Sequence, residues 1–216
     1  MTYKDLVNSV LIRLRENTIN SVSDTPYSLL IGELVNDAKR IVEDSWDWQS
    51  LRTTITVNTI AGTFSYQLSG TDFGLKTLDV INDTSNCFMT PVSYSYMNNA
   101  FLNNDNAPQS TPKYYSYNGF SESGEALIDF YPIPDKEYVI RINAVEKKAR
   151  LSADGDKAFA PSDAIIQYAY ALAARERGET GGASAAELFA IADQTLADRV
   201  ALDVARSEGE FIWKPV

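Results

Sequence analysis

Hydrophobic residues recur at the three- and four-residue spacing of an α-helix over the first part of the chain. This spacing predicts a first helix over residues 3–14. A second helix is predicted to start at Pro26, because Thr25 is a favoured N-cap residue. The backbone N–H at the first helical position makes no hydrogen bond within the helix, so a proline there loses nothing. The charged residues expected on its exposed surface are Glu33, Asp37, Lys39, Arg40, Glu43 and Asp44. The buried stripe is expected to consist of Leu30, Leu34, Ala38, Ile41 and Ser45.

The period of the pattern changes to two after position 50, which is typical of β-strands. The predicted strands are Leu51–Asn58, Thr63–Leu68, Leu75–Ile81, Phe88–Val92, Lys113–Asn118, Ala126–Tyr131 and Tyr138–Val145. The first two are expected to form a hairpin through the turn at Thr59–Gly62. A short helix is expected at Tyr94–Leu102, and the polar, proline-broken segment 103–112 is expected to be a loop. The middle of the chain is therefore predicted to hold six or seven antiparallel strands.

Helical spacing returns after Pro161 and predicts helices Ala164–Arg177 and Ala183–Arg206, separated by the glycine-rich segment 178–182. The packing face of the first of these helices is expected to be Ile165, Tyr168, Ala169, Leu172 and Ala173. The inward residues of the second are expected to be Leu188, Ile191, Ala192, Thr195, Leu196 and Leu202.

This order of elements predicts an α+β fold, in which the terminal helices form a helical bundle and an antiparallel β module is inserted between them. The expected domains are residues 1–48 with 161–206 for the bundle and 49–150 for the β-rich module. Residues 207–216 are expected to be a C-terminal docking tail, because Phe211, Ile212 and Trp213 add apolar surface that a small domain does not need for its core.

Two tryptophans, Trp46 and Trp48, lie where the second helix gives way to the first strand. Each ring can bury about 150–250 Å², so the pair can close a hydrophobic corner. A long helix that ends in S-W-D-W and continues directly into L-R-T-T-I-T-V resembles the head-to-tail adaptor proteins of short-tailed bacteriophages, which are related to the tail tubular protein A family. The order of two helices, a β-rich insertion and two helices agrees with this resemblance over most of the chain.

The resemblance implies a structural virion protein at the neck of the particle, assembled in the host cytoplasm, with no catalytic role and no cofactor. It implies a ring, expected to be a dodecamer, that joins the portal protein to a tail nozzle or tail tube protein and leaves a channel for DNA. Trp46 and Trp48 are candidate interface residues. In this family the C-terminal segment reaches the portal, which makes Phe211, Ile212 and Trp213 candidate portal contacts; folding back onto the bundle is the alternative.

The net charge of −10 argues against a protein that binds nucleic acid tightly, because such binding needs clustered lysine and arginine to neutralise phosphates. Solubility alone can explain this charge. In a ring with a DNA-conducting lumen, acidic walls would in addition keep the duplex from sticking. The chain has no apolar run near the roughly 18–20 residues that span a bilayer, and its first residues predict a helix rather than an export signal.

The sequence offers little chemistry for catalysis. It contains no histidine, no nucleotide-binding glycine motif and a single cysteine, Cys87, which is expected to be a small buried residue. Asp154-Gly155-Asp156 is expected to form a turn, since the spacing of a calcium loop is missing. Carboxylate pairs such as Glu43 with Asp44, or Asp135 with Glu137, leave a cell-wall-degrading enzyme as the alternative function. A small binding module unrelated to phage is the third possibility.

Overall fold

The computed structural model describes residues 1–71, 75–102, 107–178 and 183–208. It forms two compact units, one from residues 1–51 with 148–216 and one from residues 52–147. The helices are α1 (Tyr3–Arg13), α2 (Pro26–Ser45), α3 (Tyr94–Leu102), α4 (Ser162–Arg177) and α5 (Ala183–Glu208). The strands are β1 (Arg52–Asn58), β2 (Ser65–Gln67), β3 (Leu75–Asn82), β4 (Cys87–Phe88), β5 (Thr90–Pro91), β6 (Tyr114–Phe120), β7 (Ala126–Tyr131) and β8 (Val139–Glu146). These elements confirm the α+β class.

Both helices at the start of the chain begin at capping boxes. Thr2 accepts a hydrogen bond from the Asp5 N–H and Asp5 accepts one from the Thr2 N–H, which satisfies two donors at the start of α1. Thr25 and Ser28 do the same for α2, with Pro26 at its first turn. The predicted starts of these two helices are confirmed.

The buried face of α2 differs from the predicted stripe. The apolar residues that it buries are Ile31, Val35, Ala38 and Val42, whereas Ile41 and Ser45 are exposed and Leu30 and Leu34 are half-buried. Gly32 explains the rotation, because a Cβ at this position would lie 2.3 Å from the Tyr3 hydroxyl oxygen. This close contact turns the Gly32 side of α2 towards α1, and polar residues on that side become buried.

Asn36 is one of these buried polar residues, and it binds the chain where it returns to the helical unit. Its side-chain oxygen accepts from the Leu151 N–H at 2.9 Å, and its amide nitrogen donates to the Leu151 carbonyl at 3.1 Å. The same nitrogen lies 3.3 Å from the Tyr3 hydroxyl oxygen. One side chain of α2 therefore fixes both α1 and the segment that follows β8.

Lys39 and Glu43 were expected on the exposed surface of α2, but each is only 4% exposed. Lys39 Nζ lies 2.9 Å from Glu43 Oε2 and donates to the Lys148 carbonyl oxygen at 2.7 Å. A sequence pattern assigns charged residues to the solvent-facing side because isolated buried charges are costly. Here each charge compensates the other, which is the condition under which lysine and glutamate can be buried.

α4 packs against α1, α2 and α5. Its predicted packing face is confirmed except at Leu172, which is half-buried. The predicted face of α5 is confirmed at Ala192, which is buried, and wrong at Ile191 and Leu202, which are 51% and 54% exposed. The other three predicted residues, Leu188, Thr195 and Leu196, are half-buried. α5 packs on α4, where the Tyr168 hydroxyl of α4 donates to Asp193. Burial and this carboxylate raise the pKa of Tyr168 to about 12.

The β unit consists of two four-stranded sheets, with strand orders β1-β8-β3-β4 and β2-β7-β6-β5. The predicted hairpin of the first two strands is wrong, because β1 pairs with β8 and β2 pairs with β7 in the other sheet. After β1 the Thr59 N–H continues this ladder by donating to the Tyr138 carbonyl at 2.9 Å, and a turn at Gly62 (φ +79°) follows before β2. All pairs are antiparallel except β5 with β6.

One face of β8, with Tyr138, Ile140, Ile142 and Ala144, is buried within the β unit. Phe130, Ile128 and Leu68 add buried side chains to this unit. The segment predicted as helix Tyr94–Leu102 is confirmed as α3. Cys87 is half-buried at the end of the β3–β4 pair rather than fully buried. Residues 103–106 of the predicted loop lie outside the described residues.

One carboxyl group is buried in the second sheet. Asp129 of β7 is 3% exposed and lies between Ser65 of β2 and Ser116 of β6 in the strand register. Burial raises the pKa of the Asp129 carboxyl, and hydrogen bonds with the side chains of Ser65 and Asn118 partly oppose this rise. The ionised form is therefore less favourable here than in the unfolded chain.

The buried ion pair gives a first test. Because Lys39→Met leaves Glu43 buried without its cation, we expect the free energy of unfolding in urea to fall by about 3–5 kcal/mol. The double variant Lys39→Met with Glu43→Leu should recover most of that loss, since no buried charge remains. Equal losses in the single and double variants would contradict this account.

Asp129 gives a second test, through pH. Its folded pKa is raised, so the neutral carboxyl contributes stability that is complete below the ordinary pKa and is lost as the pH rises through the folded value. We therefore expect the difference in the free energy of unfolding between Asp129→Asn and the parent protein to favour the variant more at pH 7 than at pH 3.5. Thermal melts at both pH values measure this difference, and a difference that does not change with pH would contradict it.

Candidate interaction surface

The two tryptophans lie in a corner that follows directly from the end of α2. Trp46 leaves the helix in an extended conformation (φ −155°, ψ 156°). The Trp48 N–H then donates to the Trp46 carbonyl, and a short 3-10 turn over Gln49–Leu51 leads to the end of the helical unit. Two tryptophans separated by one residue therefore point to different environments.

Trp48 belongs to the core of the helical unit. Its side chain is 1% exposed, and its indole Nε1 donates to the Val42 carbonyl at 2.7 Å. Val42 lies in the last turn of α2, where carbonyl groups lack helical partners. Trp48 thus satisfies one of these carbonyls and buries a large apolar ring at the same time.

Trp46 lies at the surface and is 39% exposed. Its indole Nε1 donates to Asp203 Oδ2 at 3.2 Å, and the Gln49 N–H donates to the same oxygen at 3.2 Å. The Gln49 side-chain amide also donates to the Asp203 carbonyl at 3.0 Å. Asp203 is buried although it lies on the largely exposed helix α5. One carboxylate therefore joins α5 to the tryptophan corner.

A half-open cavity of about 430 Å³ lies beside this corner. Phe159 and Leu202 are exposed at the cavity, and Arg199 forms an ion pair with Asp163 at 2.5 Å. Arg206 also lines it. Exposed aromatic rings and arginines are the residue types that carry most of the binding energy at protein interfaces. We call Trp46, Phe159, Arg199, Leu202 and Arg206 the corner surface.

The carboxylates that suggested an enzyme have other partners. Glu43 pairs with Lys39 in the interior, and Asp135 accepts the Tyr138 hydroxyl at 2.7 Å. Among the described residues, no three acidic or cysteine side chains are placed to hold a metal ion. No helix in this part of the chain is both long and apolar enough to cross a bilayer.

The turn predicted at Asp154-Gly155-Asp156 is confirmed. Asp156 accepts from the backbone N–H groups of Ser152 and Ala153, at 2.7 and 2.8 Å. Asp154 accepts from the Val22 N–H at 3.0 Å. These hydrogen bonds lower the pKa values of both carboxyls, so the two acids shape a loop.

The tyrosines of the β unit are divided between packing and exposure. Tyr115 is buried and Tyr66 packs on the ring of Phe130 with centroids 5.4 Å apart. Tyr114 contacts the rings of Tyr96 and Tyr131, each with centroids 6.4 Å apart. Only the first turn of α3, with Tyr94 and Tyr96, exposes about half of each ring.

The fold is a helical unit with a β insertion, and Glu43 and Asp135, which suggested an enzyme, pair with Lys39 and Tyr138. The model of the family described as SU10 adaptor protein matches residues 1–210. The chain therefore belongs to this family of phage adaptors, and its role is a structural one. This result confirms the resemblance found from the S-W-D-W corner and the order of elements. No curated protein matches the chain.

Sequence reasoning found the tryptophan corner but missed its partner. Asp203 was not singled out, because one acid among 29 carries no signal by itself. Phe159 and Arg199 were not singled out either. The interface role of Trp46 and Trp48 stays a prediction, and Phe211, Ile212 and Trp213 lie outside the described residues.

The junction at Asp203 gives a third test. Asp203→Ala removes the acceptor of the Trp46 indole and of the Gln49 N–H, so we expect the free energy of unfolding to fall by about 1–3 kcal/mol. Quenching of tryptophan fluorescence by iodide should increase as the Trp46 ring becomes free. Asp198→Ala on the same helix, whose carboxylate accepts from Gln194 at the surface, is the matched control. Equal effects of the two substitutions would contradict the assignment.

Proposed function

We propose that this protein forms a ring between the portal and the tail of a phage virion and that the ring lines the channel through which DNA passes. The observation that carries the proposal is the match of residues 1–210 to the SU10 adaptor protein family. By resemblance to the tail tubular protein A family, the ring is a dodecamer at the virion neck and is assembled in the host cytoplasm. Its neighbours are the portal protein and a tail nozzle or tail tube protein.

Ring closure needs a heterologous contact, in which two different surfaces of the subunit meet and each step rotates by the same angle. We propose the corner surface, including Trp46, as one side of this contact, next to the well-packed Trp48. It combines the apolar area of Phe159 and Leu202 with the guanidinium groups of Arg199 and Arg206. A stable contact of this kind buries about 1,200–2,000 Å², and a ring repeats it at every subunit.

The charge of the chain supports passage of DNA without specific binding. With 29 acidic and 19 basic residues, the surface repels a polyanion as a whole. A duplex that moves through a ring must not be held by its phosphates, since each neutralised phosphate adds affinity. The acidic balance meets this requirement.

The C-terminal segment 207–216 is the proposed portal contact. It combines two aromatic side chains, Phe211 and Trp213, with Ile212 in three successive positions. Aromatic residues can fill pockets on a partner at little cost in lost side-chain freedom. The corner surface and the C-terminal segment then have separate roles, the first between copies and the second towards the portal.

Light scattering tests this function directly. The expected result is that the protein changes from its free form to a stoichiometric ring on the portal of the same phage when the two are mixed. Phe211→Ala combined with Trp213→Ala should weaken portal binding by roughly 30-fold or more, because two aromatic hot-spot residues are lost. Phe120→Ala, an exposed aromatic residue of the β unit, is the control.

Three outcomes would contradict the proposal in whole or in part. A protein that does not bind the portal at micromolar concentration would contradict the adaptor role proposed for this chain. Normal portal binding by the double alanine variant would remove only the role of the C-terminal segment. Release of sugar fragments from peptidoglycan by the purified protein would favour the enzyme alternative instead.

A further inference from the structure

The first sheet of the β unit has one long, open edge. β1 is seven residues long and, within residues 1–71, 75–102, 107–178 and 183–208, pairs only with β8, so no described strand lies on its other side. The remaining edge strands of the two sheets are two or three residues long, and β5 contains Pro91. Proteins protect long edges with prolines, lysines, bulges or covering segments, because an open edge templates pairing with another chain. β1 contains no proline and no lysine, and its register with β8 is continuous.

The hydrogen bonds show which backbone groups of β1 face the open side. Thr59 donates to Tyr138, its partner in the extended register, so odd-numbered residues carry the bonds to β8. In an antiparallel ladder the residues between them turn their N–H and C=O groups the other way. The backbone groups of Thr54 and Thr56 therefore face outward, and no backbone group among the described residues pairs with them.

We propose that the free protein is a twofold dimer, in which β1 of one copy pairs antiparallel with β1 of a second copy. The strand is self-complementary when Ile55 lies on the twofold axis. In this register all seven residues overlap, and every outward-facing residue of one copy is opposite an outward-facing residue of the other. Thr54 is then opposite Thr56 of the second copy, and Arg52 is opposite Asn58.

The side chains suit this arrangement. β-branched residues fill five of the seven positions, and such residues favour strands. Thr54 opposite Thr56 brings two hydroxyl groups together, which is a favourable cross-strand pair. The only charged residue of the strand, Arg52, is opposite an asparagine, so no like charges meet. The edge strand β4 offers only two residues and is a poorer match for β1.

This inference goes beyond the proposed ring. A twofold contact satisfies both of its surfaces at once, so it closes after two copies and does not propagate. It uses β1 of the β unit, whereas the proposed ring contact uses the corner surface of the helical unit. The dimer is therefore the form that we assign to the protein before it meets a portal. Because it is measured without a portal, its failure would leave the adaptor role untouched.

A pair of variants that differ only in the charge at position 54 tests the register. Both variants carry Thr56→Glu, which lies opposite Arg141 in its own sheet. With Thr54→Glu in addition, the twofold axis places two introduced glutamates opposite each other, twice per dimer. With Thr54→Lys instead, the same positions hold opposite charges. We expect the dissociation constant of the first variant to exceed that of the second by tenfold or more.

Light scattering and sedimentation of the parent protein should give twice the 23.9 kDa mass of the chain. A monomeric parent at micromolar concentration would overturn the proposal, and so would equal dissociation constants for the two charge variants. Circular dichroism melts on both variants establish that each is folded. The substituted side chains are exposed, so neither variant disturbs the core.

A disulfide provides a second readout. In a background with Cys87→Ser, Ile55→Cys places two thiols at the axis, where opposite Cα atoms of a non-hydrogen-bonded pair are about 4.5 Å apart. This separation permits a disulfide. Thr54→Cys in the same background is the control, because its two copies are offset along the strands beyond the roughly 7 Å limit. Cross-linking at position 54 in place of position 55 would overturn the register.

Discussion

The polar side chains of α2 hold the chain at the point where it re-enters the helical unit. Asn36 makes two hydrogen bonds to the backbone of Leu151, and Lys39 donates to the carbonyl of Lys148. A β unit of 96 residues (52–147) separates the two parts of the helical unit in the sequence. The covalent chain therefore does not by itself fix how these two parts align. Directional bonds from a rigid helix to backbone atoms supply that alignment. Hydrophobic contacts alone would tolerate sliding, since they are not directional.

The ion pair of Lys39 with Glu43 follows from the same constraint. Lys39 must be buried to reach the carbonyl of Lys148, and a buried ammonium needs a carboxylate. Glu43 lies one turn further along α2 and provides it at 2.9 Å. Gly32 permits the arrangement, because it lets Tyr3 approach α2 closely enough to share Asn36. A helix that looked amphipathic in sequence thus buries a mixed polar and apolar face.

The comparison between sequence and structure separates local from non-local information. Some features depend on neighbouring residues alone, namely the helix starts at Thr2 and Thr25, the alternation of β8 and the turn at Asp154. The sequence predicted these features or the elements that begin with them. The partner of β1, the burial of Lys39 and the contact of Asp203 with Trp46 depend on residues more than 80 positions away. No period in a single sequence carries that information. The corner surface was therefore predicted in part, through its tryptophan, while its arginines were found only in the structure.

The discontinuity of the helical unit has a consequence for biosynthesis. The β unit is one continuous segment, so all of its pairing partners have left the ribosome once Glu146 has emerged. α1 and α2 leave first but lack α4, their main packing partner, until after residue 177. Domains generally fold as units during synthesis, and non-local contacts must wait for loop closure. The β unit can therefore complete its strand pairing while the apolar face of α2 still lacks its packing partner α4.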